Sequence, residues 1–251
     1  VSALGRDRLW DKALEALLTA QRSGIETKLA SFNIVAGACY KQRRWAHALR
    51  LVMDMRTYCL ARDVVAHSLA IGACEKGNMW AKALDLFRSM DKERLRPDEI
   101  TYVCIVSACA RGDQWHYALQ LLVDMKASRL SPNVITHNVA ISTCGRSRQW
   151  AQTLHLLRRM RADRHRPNLV TYGATITACD KSNQWACAIQ LFNDVYTNGM
   201  RPSMITFSAV VSACERAAEW AKALALLGQA RNEGILPDIA MMAAAIGACG
   251  A

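Results

Sequence analysis

Lys and Arg number 32 against 21 Asp and Glu in 251 residues, a formal net charge of +11 that makes a polyanion the default partner. Apolar residues make up 52% of the chain, enough to bury a core, but no apolar run reaches the roughly 20 residues that a membrane-crossing helix needs, so no membrane role is expected. The ten cysteines supply no Cys-x-x-Cys and no His-x-Glu, so neither a metal nor another cofactor is expected.

The chain opens on VSALGRDRLW, without Met, a basic transit segment or a secretory signal, and is expected to be a fragment or a mature form. A tryptophan then recurs every 35 residues, at Trp10, Trp45, Trp80, Trp115, Trp150, Trp185 and Trp220. Aligned on it, residues 1–28 hold the tail of a first helix and a complete second one, six full units follow within 29–238, and 239–251 hold a first helix alone. Two short helices with one apolar face each cannot bury themselves, so the units must stack.

Within a unit, WAKALDLFRSM sets Trp80, Ala83, Leu84, Phe87 and Met90 on one stripe of a 3.6-residue period, with Lys82, Asp85 and Arg88 turned away. The first segment, as in VITHNVAISTCGR, places Ile135, Val139 and Ser142 on one side, with small Ala140 and Thr143 allowing close approach. Pro97, Pro132, Pro167, Pro202 and Pro237 end the second helices, and the residue after each can cap the next helix. Because each tryptophan shares its stripe with Ala and Leu, it is expected in the core, as a packing wedge between units.

Seven cysteines (Cys39, Cys74, Cys109, Cys144, Cys179, Cys214, Cys249) keep the same period. Equivalent atoms of stacked helices lie about 8–10 Å apart, too far for a disulfide, so free buried thiols are expected. Cys59, Cys104 and Cys187 fall outside this ladder, and the six histidines (His47, His67, His116, His137, His155, His165) scatter over several columns without partnered carboxylates, which suits solvated or groove positions and no catalytic role.

A two-helix unit reading PDEITYVCIVSACARGDQWHYALQLLVDM, repeated at 35 residues over nearly the whole chain, resembles the pentatricopeptide repeat. The Trp-x-x-Leu-Gly-x-x-Tyr opening of the 34-residue tetratricopeptide repeat is absent. The resemblance implies an all-α, right-handed solenoid of helix-turn-helix repeats that is not an enzyme. It also implies binding of single-stranded RNA, about one base per repeat, in RNA processing, stabilisation, splicing, editing or translation. The implied compartment is a mitochondrion or plastid.

Three columns carry over by position. Base reading falls to the pairs Asn33 with Asp63, Ser68 with Asp98, Val103 with Asn133, Asn138 with Asn168, Gly173 with Ser203, and Ser208 with Asp238. Sandwiching of bases falls to Ala30, Val65, Ile100, Ile135, Val170 and Ile205. Arg6, Lys41, Lys76, Arg111, Arg146, Lys181 and Arg216 close every first helix with a cation, which suits phosphate contact as well as the helix dipole. By the family's pairing rule the target reads U-G-N-Y-N-G, with Val103 and Gly173 departing from the pattern. The alternative is a scaffold that takes a protein or peptide in its groove. Further protein partners would act through flanking regions, and the lone terminal first helix is expected to mark a longer array or to self-associate.

Overall fold

The computed structural model describes residues 10–22, 28–55, 57 and 60–250, and every regular element among them is an α-helix. Arg6 and Cys59, together with the first-helix tail expected before Trp10, lie outside the described residues. The helices fall into two compact units, Val1–Ser131 and Pro132–Ala251. The first holds α1 (Trp10–Arg22), α2 (Leu29–Lys41), α3 (Trp45–Asp54), α4 (Val64–Lys76), α5 (Trp80–Lys92), α6 (Glu99–Arg111) and α7 (Trp115–Ala127). The second holds α8 (Val134–Arg146), α9 (Trp150–Ala162), α10 (Leu169–Lys181), α11 (Trp185–Thr197), α12 (Met204–Arg216), α13 (Trp220–Asn232) and α14 (Ile239–Gly250). Each unit is an all-α solenoid of stacked helical hairpins. None of the described helices is long and apolar enough to cross a membrane.

Helix starts follow the proline column. Asp63, Asp98, Asn133, Asn168 and Ser203 are N-caps in extended backbone, each accepting the N–H three residues on, and so satisfy a donor the helix would otherwise leave orphaned. Helix ends use a left-handed residue: Asn78, Asp113, Arg148, Asn183 and Ala218 all have φ between 52° and 58°. The chain thereby turns back, and the N–H of the next residue donates to the carbonyl of Cys74, Cys109, Cys144, Cys179 or Cys214.

Packing distinguishes the two helices of a hairpin. First helices pack on first helices, α4 on α6 in one unit, α8 on α10 and α10 on α12 in the other, whereas second helices touch only the first helices beside them. The row of first helices is therefore the closely spaced layer within each unit. Small residues make this possible: Ala70, Ala73 and Cys74 are sealed, as are Ala140 and Cys144. Every cysteine of the ladder from Cys39 to Cys214 is free and buried, and burial pushes the Cys74 and Cys144 thiols up to about 11 and those of Cys109 and Cys179 to about 12. Cys104 and Cys187 are also free and half-buried, and the side chain of Cys249 lies outside the described residues.

Of the second-helix stripe, Ala83, Leu84 and Met90 are buried and Phe87 half-buried, Leu86 off the stripe is buried as well, and Lys82, Asp85 and Arg88 lie outside. Three expectations need correction. On α8 the buried side consists of Thr136, His137, Ala140, Ile141, Thr143, Cys144 and Gly145, while Ile135 is exposed and Val139 and Ser142 half-buried. The expected stripe lay one position off because Thr and His at the helix start belong to the core.

The tryptophans are wedges but not core. From Trp45 to Trp185 they are half-buried, and Trp220 is exposed. The Trp45 and Trp80 rings lie over the turn of the following repeat: a Cβ on Gly77 would come within 2.8 Å of Trp45, and one on Gly112 would clash with Trp80. The outer ring face is left to neighbours such as Lys222, whose Nζ stands 3.9 Å from the Trp185 centroid.

His67 and His137 are sealed in the core, contrary to the expectation of solvated positions. They share a column with Phe32, Tyr102, Tyr172 and Phe207, all buried aromatics. Each column member with a polar tip finds a partner 26 residues on. His67 lies 3.6 Å from Glu93, His137 3.8 Å from Asp163, the Tyr102 hydroxyl 3.1 Å from Ser128, and Asn198 donates to the Tyr172 hydroxyl.

Candidate nucleic-acid interface

The first helices carry the expected columns on the side that second helices leave uncovered. At their second position stand Val65 and Ile100 in the first unit and Ile135, Val170 and Ile205 in the second, 54–71% exposed. A β-branched apolar residue this open on a helix otherwise packed on three sides contributes nothing to the core. Ala30 is exposed as well. Ordinary helix packing therefore does not account for this column.

Three positions further on, Asn33, Ser68, Asn138 and Ser208 present polar side chains toward the cap of the next first helix. Asn33 Nδ2 donates to both carboxylate oxygens of Asp63 at 3.1 Å. Ser68 reaches Asp98 through Thr101, whose hydroxyl stands 2.6 Å from Ser68 Oγ and 2.6 Å from Asp98 Oδ1. Asn138 Nδ2 donates to Asn168 Oδ1 at 3.4 Å, and Thr171 donates to Asn138 Oδ1 at 2.6 Å. Ser208 donates to Asp238 Oδ1 at 3.5 Å. Gly173 offers no side chain beside Ser203, and Val103 and Asn133 belong to different units. Four of the six expected pairs are thus brought together, and the capping residues hold their helix starts and face their partners at once. Two roles share one side chain because a cap uses a single acceptor position.

Cations end the first helices α2, α4, α6, α8, α10 and α12 at Lys41, Lys76, Arg111, Arg146, Lys181 and Arg216. Part of this column is already engaged. Glu75 Oε1 holds both Lys76 Nζ at 3.0 Å and Arg111 Nε at 3.1 Å, and Asp180 lies 3.6 Å from Arg216 Nε. Glu75 and Asp180 are buried to 8% and 7% exposure, and burial raises the Asp180 carboxyl despite Arg216 beside it. The acids immediately preceding the cations in sequence, as in CEK and CDK, were the signal available for these pairs. Among the described residues no group of three His, Cys, Asp or Glu could hold a metal ion.

The pentatricopeptide repeat protein PPR10 from maize has the same fold, with a TM-score of 0.66 and 22% identity over 98% of this chain, which spans 35% of the PPR10 chain. The PPR domain of protein-only RNase P 1 (PRORP1) from Arabidopsis thaliana, solved in complex with tRNA, aligns with 68% of this chain and 90% of its own at 16% identity and a TM-score of 0.62. Nuclear proteinaceous RNase P 2 (PRORP2) from A. thaliana matches 68% of this chain and 38% of its own at 12% identity and a TM-score of 0.61. No curated protein matches in sequence. The pentatricopeptide repeat domain description matches residues 85–147 and 190–251, and the PPR repeat description matches 30–60 and 65–95. These matches reach both units, those at 30–60 and 65–95 each spanning one two-helix hairpin, and the chain belongs to the pentatricopeptide repeat family.

Proposed function

We propose that this chain binds single-stranded RNA, with successive repeats addressing successive bases through the column of pairs that begins at Asn33 and Asp63. The observation that carries the reading is the exposed apolar row Val65, Ile100, Ile135, Val170 and Ile205 beside polar pairs on the same helices. Flat bases need an apolar surface to stack on and a polar group at the edge to be told apart. The PRORP1 repeat domain, which shares the fold, was solved with tRNA, in keeping with an RNA partner. The cations Lys41, Lys76, Arg111, Arg146, Lys181 and Arg216 serve the phosphates, and Val103 with Asn133 and Gly173 with Ser203 leave their bases open. The target is U-G-N-Y-N-G, read with the protein N-terminus toward the RNA 5′ end. Service in mitochondrial or plastid RNA metabolism, without catalysis by these repeats, completes the reading.

The test is binding to single-stranded RNAs that carry each base in turn at the first position, with duplex DNA as competitor. Asn33→Ser turns the first pair into a copy of Ser68 with Asp98, and preference is expected to move from U to G by roughly tenfold, the span of one good base contact. An unchanged preference removes the assignment of that column. Binding to a peptide partner in place of RNA would favour a scaffold.

A further inference from the structure

Four threonines, Thr101, Thr136, Thr171 and Thr206, are sealed at the third position of their helices. A buried hydroxyl needs partners, and these reach back to the cap residue of their own helix and, in two cases, to the first-helix residue of the preceding repeat. Hydroxyl protons are scarce, one each, and that fixes which way the neighbouring groups face.

Around Thr101, the Asp98 carboxylate can only accept, so the 2.6 Å contact uses the Thr101 proton. Thr101 Oγ1 can then only accept from Ser68, 2.6 Å away, whose other inward partner, the Val64 carbonyl at 2.8 Å, is also an acceptor. Either way the Ser68 proton points inward. Ser68 and Asp98 present acceptors alone, which fits a base edge with two adjacent donors: the N1–H and N2–H of guanine.

Around Thr171 the same logic gives the opposite face. The Thr171 backbone N–H donates to Asn168 Oδ1 at 3.0 Å and turns that carbonyl inward, and the Asn168 backbone N–H donates to Thr171 Oγ1 at 3.1 Å. The threonine proton goes to Asn138 Oδ1 at 2.6 Å, the shorter of its two acceptor contacts, the other being Asn168 Oδ1 at 3.0 Å. Both amide carbonyls are thereby engaged within the protein, and Asn138 Nδ2 spends one of its two protons on Asn168 Oδ1 at 3.4 Å, so each amide nitrogen still has a proton to offer outward. Two donors suit adjacent acceptors, N3 and O2 of cytosine, whereas in uracil a donor separates the acceptors.

We propose that the buried threonine of the following repeat is a positioning residue that sets the donor or acceptor face of the base-reading pair, acceptors through Thr101 and donors through Thr171. This rests on the RNA reading above. Where the first-helix residue is Gly173, Thr206 turns its hydroxyl to the Ser203 carbonyl at 2.6 Å, having no side chain to orient. Ser208 and Asp238, the same residue types as Ser68 and Asp98, face Met241 in place of threonine and meet only at 3.5 Å.

The test measures affinity ratios between RNAs that differ at one base. The unmodified chain should prefer G at the second position more strongly than at the sixth, and C over U at the fourth. Thr171→Val keeps shape and burial but removes the hydroxyl; it should cut the C-over-U ratio roughly three- to tenfold, the span of one hydrogen bond, and leave the second-position ratio unchanged. Thr171→Ser should restore it. Thermal melting of each variant identifies loss of fold, which lowers affinity for all RNAs and leaves the ratios alone. A C-over-U ratio that survives in Thr171→Val overturns the proposal. An unmodified chain that binds RNA without any base preference fails at the earlier reading, before any variant is compared.

Discussion

Individual residues carry stress that the repeat pattern hides. Ala218 sits at φ 56°, where Asn78, Asp113 and Asn183 occupy the matching turns. Asn and Asp tolerate the left-handed region because their short side chains bond locally, whereas the Cβ of alanine crowds the carbonyl. Ala218→Gly removes that Cβ at the end of α12, and is expected to stabilise the chain by about 1 kcal/mol, read as a higher midpoint in urea at unchanged slope. A lower midpoint would mean that the Ala218 methyl makes contacts worth more than the backbone strain. The histidines teach the opposite lesson. His67 and His137 looked unpartnered in sequence because their acids, Glu93 and Asp163, lie 26 residues downstream, and only alignment with Phe32, Tyr102, Tyr172 and Phe207 exposes them as core residues.

At the scale of the helix, one residue does two jobs that substitution can separate. Asp98 caps α6 by accepting the Thr101 N–H at 2.8 Å and also faces Ser68 through the Thr101 hydroxyl. Asp98→Ala loses the cap and should cost about 1 kcal/mol. Asp98→Asn keeps a cap acceptor but turns one oxygen into a donor, so stability should stay within about 0.5 kcal/mol while the second base shifts from G toward a base that offers one donor and one acceptor. Parallel losses in both variants would mean that the cap is the whole role. The helices themselves were legible in sequence because proline and cap mark first helices, as at Pro97 and Asp98, while a 3.6-residue stripe marks second helices, as on Trp80, Ala83 and Leu84. Less legible was which first-helix residues face out. Ile135 and Ile141 are the same residue type, yet one is exposed and the other sealed, because the stacking of first helices on one another decides it and leaves no mark in a short window. The threonines were missed for the same reason: Thr171 acts on Asn138, 33 residues back, across a repeat boundary.

For the molecule as a whole, the net charge of +11 sets how strongly affinity responds to salt. Six described cations end first helices, and a backbone contact from each gives a slope of log K against log salt of about −4 on single-stranded RNA. Lys76 and Arg111, however, leave ion pairs with Glu75, and Arg216 one with Asp180, to make such contacts. These cation side chains are close to half exposed, at 42%, 49% and 43%, while the carboxylates are buried, so a phosphate can reach each cation from the solvent side and compete for it. The full slope is therefore expected. If the pairs persist in the complex, three contacts are left and the slope falls to about −2. Glu75→Gln separates these cases: it frees Arg111 and Lys76 together, so it should raise affinity at fixed salt without steepening a slope already at its full value, and should steepen a slope that started shallow. An affinity independent of salt would leave the cation column without a role in binding and would favour a protein partner over RNA.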